Sequence, residues 1–272
     1  MRVRQSRAFW MNSLVLLDAR HTVIVDPGVL PSELDDLAAT VGAAHSERVT
    51  LLFSHGHWDH ILGRPWWPGA ATIAHARFAA EVAAGAERTR RKAEEQAAEH
   101  GETWTRGFEA FAPNEAVAGE RTLELGPWTL VLRDAPGHSA SQVSAHLPAR
   151  RLLFAADMLS DIEIPILDGG CAIYRRTLES LRPVFESGAV ETLVPGHGSV
   201  AVGVAACAAR LARDTLYLRM LEAGVREGRE RGRTLAEARA ALEVMDYTGK
   251  DAAYSMRKVH QDNVRLAWDN LG

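Results

Sequence analysis

The chain has 272 residues, 47% of them hydrophobic, a formal net charge of −4 and two cysteines, Cys171 and Cys207. That length is enough for one large domain or two small ones. The acidic balance and the lack of a long basic run argue against electrostatic binding of nucleic acid, and two cysteines, read as small core residues, make no disulfide framework. No apolar stretch reaches the roughly 18 residues that a membrane helix needs. The basic residues 1–7 lead into a short strand-like segment and not into a signal-peptide core, so a cytoplasmic setting is expected.

Residues 12–19 (NSLVLLDA) and 22–26 (TVIVD) read as paired strands across a short turn at Arg20-His21. Asp26-Pro27-Gly28 closes the second strand with strong turn chemistry. Residues 31–41 follow as a helix, with Pro31 in its first turn and Leu34, Leu37, Ala38 and Val41 on one apolar face. Residues 49–53 (VTLLF) form a buried strand that runs into Ser54-His55-Gly56-His57-Trp58-Asp59-His60. Two strand-then-helix steps in a row predict a layered α/β domain.

Residues 70–74 read as another strand. From 76 to 100 the composition turns to Ala, Glu, Arg and Lys, which predicts a helix with Phe78 and Val82 as an apolar i, i+4 pair. The charge run over residues 88–95 is its solvated face. Trp104, Phe108 and Phe111 recur at i, i+4 and i+7, which predicts a helical core stripe, with a lid wall over the site as the functional alternative. Residues 123–125 and 128–133 form a hairpin around Gly126-Pro127, and residues 135–139 a turn carrying His138. Residues 142–147 and 151–155 make a strand pair, the second leading to Asp157. Residues 173–186 are a helix, and 191–194 a strand ending in Pro195-Gly196-His197-Gly198. The rest, from about 202 to 271, is mostly helical, with Val264, Trp268 and Leu271 on the face that packs on the domain. No repeat, linker or boundary interrupts this order. The expectation is a single domain over 1–272 with a helical insertion at about 76–113 and a C-terminal helical extension at about 202–272.

The chemistry is concentrated in the heptapeptide, where four potential metal ligands fall in the pattern H-x-H-x-D-H. Neutral imidazole suits zinc, and carboxylate is a good companion ligand. His55 and His57 can converge on one metal, while Asp59 and His60, adjacent in sequence, point elsewhere and can serve a second. His138, Asp157 and His197 share the placement: each lies in a turn or at a strand end, where tight turns fix the direction of a side chain. Asp26 is a turn former before Pro27. The remaining histidines have no such context, apart from His75, which follows a strand soon after the cluster and is a candidate support for it.

On these motifs the chain resembles the metallo-β-lactamase superfamily over roughly residues 12–200. Asp26 matches the first motif, His55, His57, Asp59 and His60 the second, and His138, Asp157 and His197 the third, fourth and fifth. The resemblance implies an α/β fold, a four-layer αββα sandwich with metals at one edge of the paired sheets. It implies that His55, His57 and His138 hold the first metal, that Asp59, His60 and His197 hold the second, and that Asp157 bridges both. Asp26 would support the metal-binding loop. The implied activity is that of a dinuclear zinc hydrolase with two Zn2+ per chain. Metals about 3.5–4 Å apart share a water whose pKa falls toward 7, and the bridging hydroxide attacks a small ester, thioester or lactone. Asp59 is also placed to orient that hydroxide.

Asp157 makes the chain look glyoxalase II-like, since true zinc β-lactamases generally lack this carboxylate. Ser160 stands where lactonases of the family often carry tyrosine. Lys250, Tyr254, Arg257 and Lys258 are the candidates for holding glutathione, with a solvated helix as the plainer reading, and residues 161–165 either border the pocket or are loop surface. The alternative function is a persulfide dioxygenase with one iron on His55, His138 and Asp157. The expected partner is a small-molecule substrate, with neither nucleic acid nor membrane, and a homodimer through the 76–100 helix is left open. The substrate itself is left to the loops and helical additions.

Overall fold

The computed structural model describes residues 1–243, 245 and 256–270. Two six-stranded sheets face each other. The first runs in sequence order: β1 (Arg2–Gln5), β2 (Asn12–Leu16), β3 (Thr22–Val25), β4 (Val49–Leu52), β5 (Ala71–His75) and β6 (Glu115–Val117). The second runs β12 (Ala201–Val202), β11 (Thr192–Val194), β10 (Leu152–Phe154), β9 (Val143–Leu147), β8 (Trp128–Asp134) and β7 (Arg121–Leu125). β3, β4, β5 and β6 pair in parallel, as do β10 and β11, and the other pairs are antiparallel. Parallel neighbours end on the same side. Val25 pairs with Leu52, and Phe154 with Val194, so within each of these pairs the two exit turns leave the sheet side by side.

The period-2 alternation of the strands sorts their apolar residues into three layers of core. Val25, Leu52, Leu130, Leu132, Ala145 and Phe154 meet between the sheets. Ile24, Leu51 and Phe53 face outward against α1 (Pro31–Ala43) and α3 (Phe78–Glu99), through Leu34, Leu37, Phe78 and Val82. Leu153 and Leu193 face outward on the other side, against α4 (Cys171–Glu186), α5 (Val204–Glu230) and α7 (Arg257–Asn270). The result is the four-layer αββα arrangement. Two short helices complete it: α2 (Trp58–Ile61) after the heptapeptide, and α6 (Leu235–Ala241), which a Thr234–Glu237 capping box starts.

Most strand and helix expectations hold to within a few residues. Val264 is fully buried and Trp268 packs on the same core, while Leu271 lies outside the described residues. Residues 104–111 correct the helical stripe: Trp104, Phe108 and Phe111 sit in irregular chain between α3 and β6. Gly101 and Gly107 adopt φ of +74° and +68°, left-handed conformations that a continuing helix excludes. The aromatics are still core. Trp104 meets Trp66 at 5.4 Å, and Phe111 lies 5.2 Å from Phe53 and 5.4 Å from Phe78. β1, which falls within the basic residues 1–7, and β6 and β12, too short to carry a pattern of their own, are additions to the expected order. Among the described residues, no helix is long and apolar enough to cross a membrane.

Candidate metal centre

The heptapeptide leaves β4 beside the turn that leaves β3, and Asp26 joins the two. This carboxylate is fully buried. It accepts the Ser54 N–H at 2.8 Å on Oδ1, and the Ser54 hydroxyl at 2.5 Å and the His60 Nδ1–H at 2.8 Å on Oδ2. Its own backbone is left-handed, with φ +48°, a conformation that aspartate tolerates better than most residues. α2 begins immediately after His57, so Asp59 and His60 project from its single turn. Gly63 lets that turn approach, because a Cβ there would stand 2.5 Å from the Pro27 side chain.

The second sheet supplies the rest. His138 sits in the β8–β9 turn, where Gly137 has φ +145° and a Cβ would press on Tyr174 of α4 at 2.7 Å. Asp157 follows β10 through the left-handed Ala156 (φ +51°). His197 follows β11, and Gly196 passes so close that a Cβ would lie 2.0 Å from Asp157 Oδ1. The sheets are tied at this edge by the Met11–His197 bridge and by Asn12, whose side-chain amide donates to Pro195 O at 2.9 Å and Gly198 O at 2.8 Å.

These turns bring all seven predicted ligands together. His55, His57, His138 and Asp157 each offer a ligand atom within 4.8 Å of the others, and Asp59, His60 and His197 form a second such group. Asp157 stands between them. Its Oδ2 lies 3.2 Å from His138 Nε2, 3.5 Å from His197 Nε2 and 3.7 Å from His55 Nε2, and its Oδ1 lies 3.2 Å from His60 Nε2. Asp59 Oδ2 is 3.3 Å from His197 Nε2.

The imidazoles are held from behind. Ser54 Oγ lies 3.0 Å from His55 Nδ1, the Phe9 carbonyl 3.0 Å from His197 Nδ1, Asp26 on His60 Nδ1 and Glu81 Oε1 3.5 Å from His57 Nε2. A ring whose outer nitrogen donates a proton presents the lone pair of its other nitrogen to the cluster. His55 Nε2, His60 Nε2 and Asp157 Oδ1 face the cluster, buried and without a hydrogen-bond partner among the described residues. Buried polar atoms are normally paired, and three ligand atoms turned on one another fit a divalent cation. The imidazole and carboxylate donors suit zinc or iron.

The electrostatics have the same centre. Burial pushes His138 down to about 3 and His55 well below its usual range, with neighbouring histidines adding to the fall. Burial also opposes charge on His60 and His197, but Asp157, helped by Asp59 at His60 and Glu163 at His197, holds both well above it. Burial would raise Asp59 and Asp157. His60 and His197 outweigh it, holding Asp59 at about 2 and Asp157 well below the carboxylate range. Each carboxylate thus favours the charged form of the rings it faces, and a cation taking these four groups would compete with protons for His60 and His197.

Two acidic residues near the centre have no place in the sequence motifs. Glu163 shares a group of ligand atoms with Asp157 and His197, and burial raises its carboxyl to about 7, with His197 opposing and Asp157 and Asp59 adding to the rise. Ser160 folds that loop inward: its hydroxyl donates to His197 O at 2.8 Å and caps the Ile162 and Glu163 N–H groups at 3.1 Å each. Asp161 instead pairs with Arg210 and the Ser199 N–H, as loop structure. Glu81 reaches the centre from α3. Its signal was a charged residue on the same helical face as Phe78 and Val82. His75 lies against Asp134 at 3.4 Å and away from the role suggested for it. Arg257 and Lys258 are exposed on α7, as a solvated helix requires, and Lys250 and Tyr254 lie outside the described residues.

Among solved structures, the sec-alkylsulfatase Pisa1 from Pseudomonas sp. superposes with a TM-score of 0.72 at 15% identity, covering 98% of this chain and 48% of that one. This chain therefore spans about half the length of that protein. The BLEG-1 B3 metallo-beta-lactamase gives a TM-score of 0.52 at 21% identity, over 74% of this chain and 93% of that one. A metallo-beta-lactamase from Pontibacter korlensis gives 0.52 at 14% identity, over 77% and 91%. At such identities the likeness is one of fold. No curated protein sequence matches the chain. The sequence profile of the metallo-beta-lactamase superfamily matches residues 11–197, a span that contains strands β2 to β11 and the turns that carry the candidate ligands, and the chain belongs to that superfamily.

Proposed function

We propose that the protein is a dinuclear, zinc-dependent hydrolase of a small ester, thioester or lactone. The observation that carries this reading is the position of Asp157, one carboxylate facing the imidazoles of both groups. His55, His57 and His138 would hold one ion, Asp59, His60 and His197 the other, and Asp157 both. A pair of divalent ions held there would supply Lewis acidity and lower the pKa of a bound water toward neutrality. The chain's own part is orientation and exclusion. Asp26 and the Phe9 carbonyl fix the tautomers of His60 and His197, and the protein buries the Asp59 and Asp157 carboxylates where water does not compete for them. The second group is as fully assembled as the first, which favours two metals over the single iron of a persulfide dioxygenase.

A sulfate ester is a second substrate class worth assaying, for one reason. The Pseudomonas sec-alkylsulfatase aligns with nearly the whole chain, including the helices beyond residue 197, whereas the β-lactamases align with about three quarters of it.

The test is metal content per chain, by elemental mass spectrometry on protein purified without added metal. About two zinc per chain supports the reading and directs assays to thioesters, lactones, carboxylic esters and alkyl sulfates. About one iron transfers it to sulfur oxidation. No metal even after reconstitution overturns both. Asp157→Ala is expected to lose at least one of the two ions, and a variant with full metal and full activity would remove the bridging role.

A further inference from the structure

α3 belongs to the segment between β5 and β6, outside every ligand motif, yet one of its side chains touches both ligand-bearing turns. Glu81 Oε2 accepts the Gly56 N–H at 3.1 Å, between His55 and His57. Its carboxylate takes the Ser139 hydroxyl at 2.8 and 2.9 Å, next to His138, and the Ser141 hydroxyl in a short bond. Oε1 stands 3.5 Å from His57 Nε2. A Cβ on Gly56 would come within 2.9 Å of Oε2, so the backbone at that point is shaped around this carboxylate.

His57 is the ligand imidazole that packing controls least. Its side chain is 37% exposed, against 4% or less for His55, His60, His138 and His197. Its direction therefore depends on its polar neighbours. Nδ1 faces His138 Nε2 at 2.9 Å, and a neutral ring carries one proton. With that proton on Nε2 toward Glu81, the Nδ1 lone pair points into the site.

We infer that Glu81 is the positioning residue of the first metal group: it holds His57 as the Nε2–H tautomer and pins the His138 turn to the heptapeptide, so that α3 sets the geometry of the site. This rests on the reading of the site as a metal centre.

Nitrogen-15 NMR of the histidine rings tests it in the metal-free protein, and chelator competition tests it during metal loading, for wild type and Glu81→Gln. The expected wild-type result is His57 protonated on Nε2. Glutamine has one acceptor where the carboxylate meets three hydrogen-bond donors and the His57 ring, so Glu81→Gln should lose that tautomer preference and bind the first ion about 10- to 100-fold more weakly, with the second ion unchanged. A wild-type His57 protonated on Nδ1 overturns the inference and needs no variant. So does a Glu81→Gln protein that melts earlier yet keeps the tautomer and both affinities, which is the signature of a merely structural residue. If wild type binds no metal, the metal reading fails, while the tautomer still decides what Glu81 does.

Discussion

Asp26→Asn separates support of the site from membership in it. Asparagine keeps the volume and tolerates the left-handed backbone at φ +48°. It can also still accept the Ser54 N–H. What it cannot do is accept both the Ser54 hydroxyl and His60 Nδ1–H, which share Oδ2 in the native protein. The amide presents N–H groups there, so the Nδ1 proton of His60 loses its acceptor, and the favoured form of the ring becomes the one that keeps only the proton on Nε2, pointed at the cluster. Hydrogen bonds to charged groups are worth about 1.5–3 kcal/mol each. With one such bond lost and the other only reversed, the metal-free protein should lose about 1.5–3 kcal/mol, which for a chain of this size lowers Tm by roughly 3–12 °C. On the proposed two-metal reading, the second ion must then reverse that tautomer to bind, and its affinity should fall about 10- to 100-fold. Calorimetry on the metal-free proteins and chelator competition during loading read the two effects separately. An Asp26→Asn variant that loads the second ion as wild type does would refute the claim that Asp26 orients His60.

Two further predictions come from other parts of the fold. Gly196→Ala puts a Cβ 2.0 Å from Asp157 Oδ1 and 3.0 Å from the Ala156 carbonyl carbon. The backbone cannot yield, so Asp157 should be displaced, at an overpacking cost of about 1–3 kcal/mol and with the loss of bound metal. Elemental analysis showing wild-type metal content would contradict this. Cys171 and Cys207 are buried, the first with its thiol pushed up to about 12 by burial and by Glu222, the second raised mainly by burial. Since the thiolate is the reactive form, neither should react with a thiol reagent in the native protein, and both should react on unfolding. Fast labelling of either thiol before unfolding would show the packing around it to be wrong.

The sequence revealed the site better than it revealed the site's supports. His55, His57, Asp59 and His60 stand out because four ligand-type residues crowd one strand end, His138 and His197 because turn residues flank them, and Asp157 because it ends a strand. Glu81 does not stand out, as one of several glutamates in an Ala-, Glu- and Arg-rich helix. Only its register with Phe78 and Val82 distinguishes it, and what it meets depends on a turn near residue 139 that sequence distance hides. Ser160 read as a missing tyrosine, whereas its hydroxyl shapes the loop that carries Glu163 inward. The stripe at Trp104, Phe108 and Phe111 failed for a local reason. Its spacing is helical, but two left-handed glycines, one just ahead of it and one within it, prevent a helix from continuing. Burial of the aromatics needed only an apolar surface to land on, which Phe53, Phe78 and Trp66 provide.

Neither ligand group is drawn from one half of the sandwich. The first sheet alone brings His55, His57, Asp59 and His60 to its edge, and the second brings His138, Asp157 and His197. Each half therefore holds an incomplete set, and a cation that takes either group becomes a rivet through the seam between the sheets. Its binding energy would be spent on keeping the two halves docked. Amide exchange should register this as metal-dependent protection spreading from the seam into both sheets, with the parallel pairs β3–β4 and β10–β11, whose ends carry the ligands and their supports, gaining the most.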